Sequence, residues 1–367
     1  MSETTSVTPR GASNGAARAL QGWQGALVPV GAVFLALVIG AVVLVMLGAD
    51  PVRAYSAMAE GAFGSVSGFT QTLVVATPLL LVGLGVTIAF RGGVINIGGE
   101  GQLIVGALSA TAAALYLPLP GILLLLASLI AGTLGGAVWG AVPGALKAQL
   151  GVNEILSTIM MNQIALQLAN FLLRGPMIDP KEIEAGTRIA QSALLPAESY
   201  LVRLVPRTLL HAGSILAVLA AIGVFFLLWR TTIGYRIRAV GLNPDAARYA
   251  GIPVKRYQML ALILGGAFAG LAGAVEVLGV QHRMVEGLSG GYGFSGIVAA
   301  LFGKLHPLGA IPASVLFGGL LVGGDKMQRS VQVPDALIVA LLGLVVLFVV
   351  GSDYIIRKRA ARAQIHE

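Results

Sequence analysis

The segment NIGGEGQ, residues 96–102, holds a carboxylate between two side-chain amides in an otherwise apolar part of the chain. An ionisable group between long apolar runs is a candidate functional residue, because burying it is costly unless it faces protein or water. The glycines beside Glu100 allow a tight turn with accessible N–H groups. The carboxylate can accept hydrogen bonds from these N–H groups, or it can cap the helix that follows. We interpret Glu100 first as a structural joint and second as a contact for a solute, with Asn96 and Gln102 in the same network.

Three further side chains are candidates for contacts with a solute. Asn162 carries an amide that can bind a hydroxyl group or join two helices, and the pattern is compatible with both. Glu276 stands near the end of an apolar run, where helix pairing, an interfacial position and a solute contact all remain open. Phe294 offers an aromatic ring on which a flat solute can stack.

One short motif is typical of a serine hydrolase. Gly293–Gly296 reads G-x-S-G, and a serine nucleophile needs a histidine within hydrogen-bond reach. The four histidines are at positions 211, 282, 306 and 366, and none lies well inside a later apolar run. We therefore disfavour an intramembrane protease, for which Ser295→Ala would abolish activity.

The sequence also lacks the residue patterns that nucleotide binding and Cys-ligated metal sites require. Gly291–Gly296 matches G-x-G-x-x-G without a predicted strand before it, and Gly303–Lys304 lacks the upstream glycine of a phosphate-binding loop. The absence of cysteine excludes disulfides, thiolate nucleophiles and Cys-ligated metals. We predict no catalytic residue, no metal site and no cofactor, so any ATP must be bound by a partner.

The elements that position these residues are membrane helices. The chain is 56% hydrophobic and 11% charged, with a mean hydropathy of +0.87, whereas soluble domains carry roughly a quarter charged residues. The formal charge of +8 comes from basic residues beside apolar runs, which indicates membrane topology and contact with lipid rather than with nucleic acid.

The apolar runs predict an all-α polytopic bundle of about ten crossings, one of them short or re-entrant. The predicted spans are 27–48, 72–90, 102–117, 120–146, 154–173, 209–229, 257–280, 294–303, 307–324 and 334–353. The basic loop 230–256 and the basic C-terminus place both termini in the cytoplasm. Residues 1–25 are predicted to be a disordered cytoplasmic tail, 26–355 the membrane domain, and 356–367 a basic cytoplasmic tail.

Small residues recur at helical spacing in the fourth predicted span. Gly132, Gly136, Gly140 and Gly144 form overlapping G-x-x-x-G units, which let helix backbones approach closely in lipid. We expect this face to pack against another helix.

The cytoplasmic loop contains its own helix signals, in the stretch GLNPDAARYAGIP. Asn243 is a good N-cap, Pro244 suits the first helical position and Asp245 complements the helix dipole. Gly251 can end the helix in a left-handed conformation, and Pro253 prevents its continuation. A capped, weakly charged helix on a basic surface is typical of docking into a groove of a soluble partner.

These motifs together resemble the membrane permease subunits of ABC importers for simple sugars, nucleosides and branched-chain amino acids. NIGGEGQ resembles the family signature at the third span, and GLNPDAARYAGI resembles the cytoplasmic coupling loop. The stretches LSTIMMNQIALQLANFLLRGP and GLSGGYGFSGIVAALFGKLHPLGAIPASVLFG resemble the nucleoside and simple-sugar subgroup, most closely its longer nucleoside member. The resemblance runs from about Pro78 to Tyr354. It departs from the family at Gly99, where a bulkier apolar residue is common.

The resemblance implies a function in transport. It implies that the loop helix is a coupling helix, which receives motion from an ATP-hydrolysing subunit, and that its residues are Asn243, Pro244, Asp245, Ala246, Ala247, Arg248, Tyr249, Gly251 and Ile252. The candidates for the translocation pathway or a hinge are Asn96, Glu100, Gln102, Asn162, Glu276 and Phe294. It also implies a second permease chain, paralogous or identical, and an extracytoplasmic substrate-binding protein or lipoprotein.

Nucleosides are the first substrate class that this resemblance favours, before ribose-like sugars and then branched-chain amino acids. The alternative function is a proton-coupled secondary transporter of a small polar solute, with Glu100 and Glu276 as proton carriers. Such a transporter has no need of a capped cytoplasmic helix.

Overall fold

The computed structural model describes residues 34–332, together with positions 31, 340, 343–344, 347–348 and 351. The predicted tails 1–25 and 356–367 lie outside the described residues, as does most of the predicted last span.

The described part of the chain is helical and contains no named β-strand. Its helices are α1 Phe34–Met46, α2 Pro51–Phe63, α3 Val66–Arg91, α4 Gly99–Tyr116, α5 Gly121–Ala145, α6 Glu154–Arg174, α7 Pro180–Glu184, α8 Gly213–Arg230, α9 Thr232–Leu242, α10 Pro244–Tyr249, α11 Val254–Glu276, α12 Tyr292–Phe302 and α13 Pro307–Val331. A π-helical turn continues α5 through Leu146–Leu150 and α11 through Val277–Gln281. The all-α prediction is confirmed for this part of the chain.

Six of these segments are long and apolar enough to cross a membrane. They are α3, α5 with its π-helical turn, α6, α8, α11 with its π-helical turn, and α13. The helices α1 and α12 are apolar but shorter. The short segment predicted at 294–303 is therefore a real helix, α12, which begins two residues earlier.

Two helix boundaries differ from the predictions for the same physical reason. The helix α13 continues to Val331 instead of stopping at 324, and α3 begins at Val66, where the Ser65 side chain accepts a hydrogen bond from the Gly68 N–H. Hydropathy marks where a helix stops being apolar, whereas the backbone ladder continues until a cap ends it.

The helices α2, α7 and α9 were not predicted, and α9 lies in the basic loop. The residues between Arg230 and Asn243 were predicted to be loop, but α9 occupies them. The Thr231 side chain caps it by accepting from the Gly234 N–H at 3.1 Å. Its two arginines and its exposed residues hide it from a pattern search for apolar periodicity.

The glycine face of α5 packs against α11, as predicted. A Cβ atom added at Gly136 would lie 2.2 Å from the Gly266 carbonyl oxygen and 2.6 Å from the Gly270 Cα. A Cβ atom at Gly106 of α4 would lie 2.3 Å from the same Gly270 Cα. These three helices therefore touch backbone to backbone at the centre of the bundle, which only glycine permits.

Candidate functional site

The NIGGEGQ segment lies inside the bundle. After α3 ends at Arg91 the chain turns back, and Gly99 at the start of α4 lies against Val82, a Cβ at Gly99 being 3.2 Å from its Cγ1. Because Val82 precedes Arg91 by nine residues of α3, the segment is about 13 Å along the helix axis from the Arg91 end. The helix α4 therefore begins inside the bundle, beside the middle of α3 rather than at its Arg91 end.

The two amides of the segment form one network, which does not include the Glu100 side chain. Asn96 donates to the Gln102 Oε1 at 3.0 Å, and Gln102 donates back to the Asn96 Oδ1 at 3.3 Å. The Gly98 N–H also binds the Asn96 Oδ1, at 2.9 Å. Both amides are buried, and their mutual bonds fix the turn that precedes α4.

Asn162 of the neighbouring helix α6 binds the same turn through two hydrogen bonds. Its Oδ1 accepts from the Gly101 N–H at 2.8 Å, and its Nδ2 donates to the Ile97 carbonyl at 2.9 Å. The oxygen and the nitrogen of the amide therefore both bind backbone groups. Of the two alternatives for Asn162, this arrangement corresponds to joining two helices rather than binding a solute. The neighbouring amides Gln163 and Gln167 are exposed on the other side of α6.

Glu100 binds a different helix from the one predicted. Its Oε2 accepts a hydrogen bond from the Gly293 N–H at 2.8 Å, so it caps α12 rather than binding the glycines of its own segment. A Cβ at Gly293 would lie 2.2 Å from the Glu100 backbone nitrogen, which explains why glycine is needed there. A carboxylate at a helix N-terminus is stabilised by the helix dipole, so Glu100 joins the starts of two broken helices.

The remaining pathway candidates lie around this joint. Glu276 is the last residue of α11 and is 4% exposed, so its side chain is surrounded by protein. Phe294 is 49% exposed on the free side of α12.

The opposite end of α12 is held by Arg91. The Arg91 Nε donates to the Leu305 carbonyl at 2.9 Å, and a terminal nitrogen donates to the Lys304 carbonyl at 3.4 Å. Lys304 and Leu305 have φ values of 56° and 52°, a left-handed conformation that costs energy in residues with side chains. The arginine thus stabilises a strained turn between α12 and α13.

Arg91 also belongs to an aromatic cluster, which we call the Arg91–Trp229 cluster and which comprises Arg91, Trp229, Arg238 and His306. Both guanidinium carbons lie 5.5 Å from the Trp229 ring centroid, and the His306 ring is 4.9 Å from it. Burial and the Arg91 charge lower the pKa of His306. The cluster therefore connects the ends of α3 and α8 with α9 and with the turn after α12.

The helix α10 has the caps that the sequence predicts. The Asn243 Oδ1 accepts from the Asp245 and Ala246 N–H groups at 3.1 and 3.0 Å, Pro244 is the first helical residue, and Gly251 has a φ of 76°. Arg248 and Asp245 form an exposed ion pair at 3.3 Å.

The helix α10 has one buried and one exposed side. Ala247 is 4% exposed and packs against Val240 and Val254, so its side chain is directed into the protein. Tyr249 at the end of α10 is 94% exposed, and Leu242 at the end of the preceding α9 is 85% exposed. The helix α10 therefore rests on α9 and α11 through Ala247, with two large side chains exposed at the ends of α9 and α10.

An open cavity of about 720 Å³ was not predicted. It lies between α2, α3, the start of α12 and the end of α13; its lining includes Glu60, Ser65, Ser67, Gln71, Gly290, Tyr292, Asp325, Lys326 and Arg329. We call it the α13 cavity. The pattern DKMQR directly after an apolar run was the available signal, but the prediction ended the helix before it.

The sequence also matches a family of known proteins. A family described as the permease component of branched-chain amino acid transport systems matches residues 68–350. The chain belongs to this family. Permease subunits of this family are transport proteins rather than enzymes, and ATP hydrolysis is the task of a partner subunit.

Relatives of the permease cover most of its length. The guanosine ABC transporter permease protein NupP of Bacillus subtilis is 38% identical over 90% of this chain and 94% of its own. The glucose ABC transporter permease protein TsgB13 of Haloferax volcanii is 36% identical, over 94% and 92%. A second guanosine permease protein of Bacillus subtilis, NupQ, is 30% identical over 72% of this chain and 84% of its own. The permease is therefore a multi-pass membrane protein of an ABC importer.

Proposed function

We propose that this permease imports nucleosides, with simple sugars as the second choice, across the inner (plasma) membrane of a bacterium. The observation that carries the coupling role is the pair of helices α9 and α10, where Leu242 at the end of α9 and Tyr249 at the end of α10 are almost fully exposed. Two large apolar side chains on a rigid support are typical of an anchor that fills a groove in a partner. The partner is the ATP-hydrolysing subunit.

The proposed topology follows from the helices and their charges. We count ten crossings, of which α12 together with the chain before it makes one. An even number places both termini on the same side as α9 and α10, which is the cytoplasm. Support comes from the basic residues of α9 and the following loop. The domain limits 26–355, with cytoplasmic tails on either side, are part of this proposal.

The transporter is proposed to contain two different permease chains, two ATPase subunits and an extracytoplasmic binding protein or lipoprotein. NupP and NupQ are both guanosine permease proteins of one organism and both resemble this chain. This pairing favours a paralogous second permease over an identical one.

Nucleosides are preferred on two grounds. The motifs of residues 156–176 and 287–318 resemble the nucleoside subgroup, and the relative NupP carries guanosine in its name. Glucose in the name of TsgB13 keeps sugars as the second choice. The proton-coupled alternative is not favoured, because the Glu100 carboxylate holds α12 and the relatives are ABC permeases.

The test is uridine uptake by right-side-out vesicles that contain the complete transporter, with and without internal ATP. Tyr249→Ala and Leu242→Asp are expected to lower ATP-dependent uptake at least about tenfold, because truncating a central anchor costs roughly 2 kcal/mol or more. The matched control is Tyr116→Ala, at the far end of α4, where the tyrosine is 64% exposed.

Three outcomes separate the possibilities. Loss of uptake in Tyr249→Ala and Leu242→Asp but not in Tyr116→Ala, with unchanged expression, supports the coupling role. Uptake that follows a proton gradient and ignores ATP overturns it. Ribose uptake without uridine uptake replaces the substrate but leaves the coupling role standing.

A further inference from the structure

The α13 cavity contains equal numbers of opposite charges. Glu60 and Asp325 supply two carboxylates, and Lys326 and Arg329 supply two cations. Lys326 and Glu60 form an ion pair at 2.9 Å. A cavity that is balanced in this way offers no net field to attract a cation or an anion.

The lining is nevertheless rich in hydrogen-bonding groups. Ser65, Ser67 and Gln71 line the α3 side of the cavity, and hydroxyl and amide groups both donate and accept. The volume of about 720 Å³ falls within the range of roughly 300–1,000 Å³ that is usual for small-molecule sites. These features suit a neutral solute with several hydroxyl groups.

Tyr292 adds an aromatic surface where the cavity meets α12. It is the first residue of that helix, and the next residue, Gly293, is the one that Glu100 binds. A solute that contacts Tyr292 therefore contacts the helix end that the joint controls. A base or the apolar face of a sugar ring can pack on such a side chain.

We propose that the α13 cavity is a binding site for a neutral, hydroxylated ring compound, a nucleoside before a simple sugar, on its way to α12. This inference rests on the proposed function, because it gives that function the place where the substrate first enters the membrane domain. The charge balance of the lining adds a requirement of its own: a phosphorylated analogue of the same solute is bound less well.

The absence of cysteine from the chain provides a direct test. Val322→Cys introduces a single thiol into the cavity lining, and Glu184→Cys introduces one at an exposed position outside it. Vesicles with the complete transporter are treated with a membrane-impermeant maleimide, and the labelled permease is separated by electrophoresis. At twice its dissociation constant a bound solute is expected to slow labelling about threefold.

The expected result is that uridine slows labelling of Val322→Cys and leaves Glu184→Cys unchanged. Equal protection by uridine monophosphate would overturn the requirement for a neutral solute. Absence of protection by uridine, ribose and glucose, in vesicles that import one of them, would overturn the site but not the transport function. Protection by the binding protein alone would reassign the cavity to a docking surface.

Discussion

The chemistry of Glu100 depends on one hydrogen bond between distant parts of the chain. Its carboxylate lies at the start of α4, yet it accepts a hydrogen bond from the Gly293 N–H of α12. An N–H group at a helix N-terminus that is left unpaired inside protein is costly, and a negative charge at that position is favourable. The single residue therefore determines whether α12 has a stable beginning.

Glu100→Ala is expected to lower the stability of the purified permease by about 1–3 kcal/mol, because the Gly293 N–H loses its acceptor. Glu100→Gln keeps an acceptor oxygen and loses only the charge, at a cost of about 0.3–1 kcal/mol. Thermal unfolding in detergent measures both, with Glu184→Ala as the exposed control. If Glu100→Ala unfolds at the wild-type temperature, the bond does not hold α12.

At this scale the sequence predicted the members of the network better than their partners. Asn96 and Gln102 are six residues apart, so local geometry was enough to join them. The partner of Glu100 lies 193 residues away in the sequence, so a local sequence pattern could not predict this contact. For the same reason the burial of Ala247 could not be read from α10 alone, because it depends on contacts with α9 and α11.

At the scale of elements, the most predictable features were the caps of α10 and the packing face of α5. The caps of α10 use a local side chain, Asn243, and the G-x-x-x-G face of α5 uses a simple repeat. The helix α9 and the end of α13 could not be predicted from hydropathy, because charged residues interrupt their apolar pattern while their backbones remain helical. The α13 cavity follows from that extension, so it was missed as well.

The central helix contacts predict opposite results for two glycine substitutions. Gly136→Ala is expected to destabilise the permease by about 1–3 kcal/mol or more, because the added methyl group meets the backbone of α11. Gly223→Ala in α8, where a Cβ meets nothing within 4 Å, is expected to be neutral or stabilising by about 0.5–1 kcal/mol. Unfolding midpoints of the two variants measure the difference. Similar midpoints would show that α5 and α11 can separate without loss.

At the scale of the molecule, one chain of contacts leads from α10 to α12. Ala247 packs on α9, Arg238 of α9 packs on Trp229, and Trp229 packs on Arg91. Arg91 binds the turn that ends α12. If α9 and α10 are moved as proposed, we predict that the movement reaches first the end of α12 that lies opposite Glu100.

Arg91→Lys is expected to reduce the amount of solute imported per ATP hydrolysed about tenfold, because a lysine cannot maintain both carbonyl contacts and the ring contact. ATP hydrolysis itself is expected to continue, since α10 remains exposed and capped. The control is Arg230→Lys at the exposed end of α8. Uptake and phosphate release are measured in the same vesicles, and an unchanged ratio in Arg91→Lys would exclude this route.

The short length of α12 also has a consequence for biogenesis. Its 11 residues span about 16 Å, roughly half of the hydrocarbon core, so it cannot enter a bilayer as an independent helix. One of its N-terminal N–H groups, that of Gly293, is bound by the carboxylate of Glu100, which is synthesised 193 residues earlier. We therefore expect α12 to insert stably only once α4 is in place, so that an early part of the chain acts as an intramolecular template for a late one.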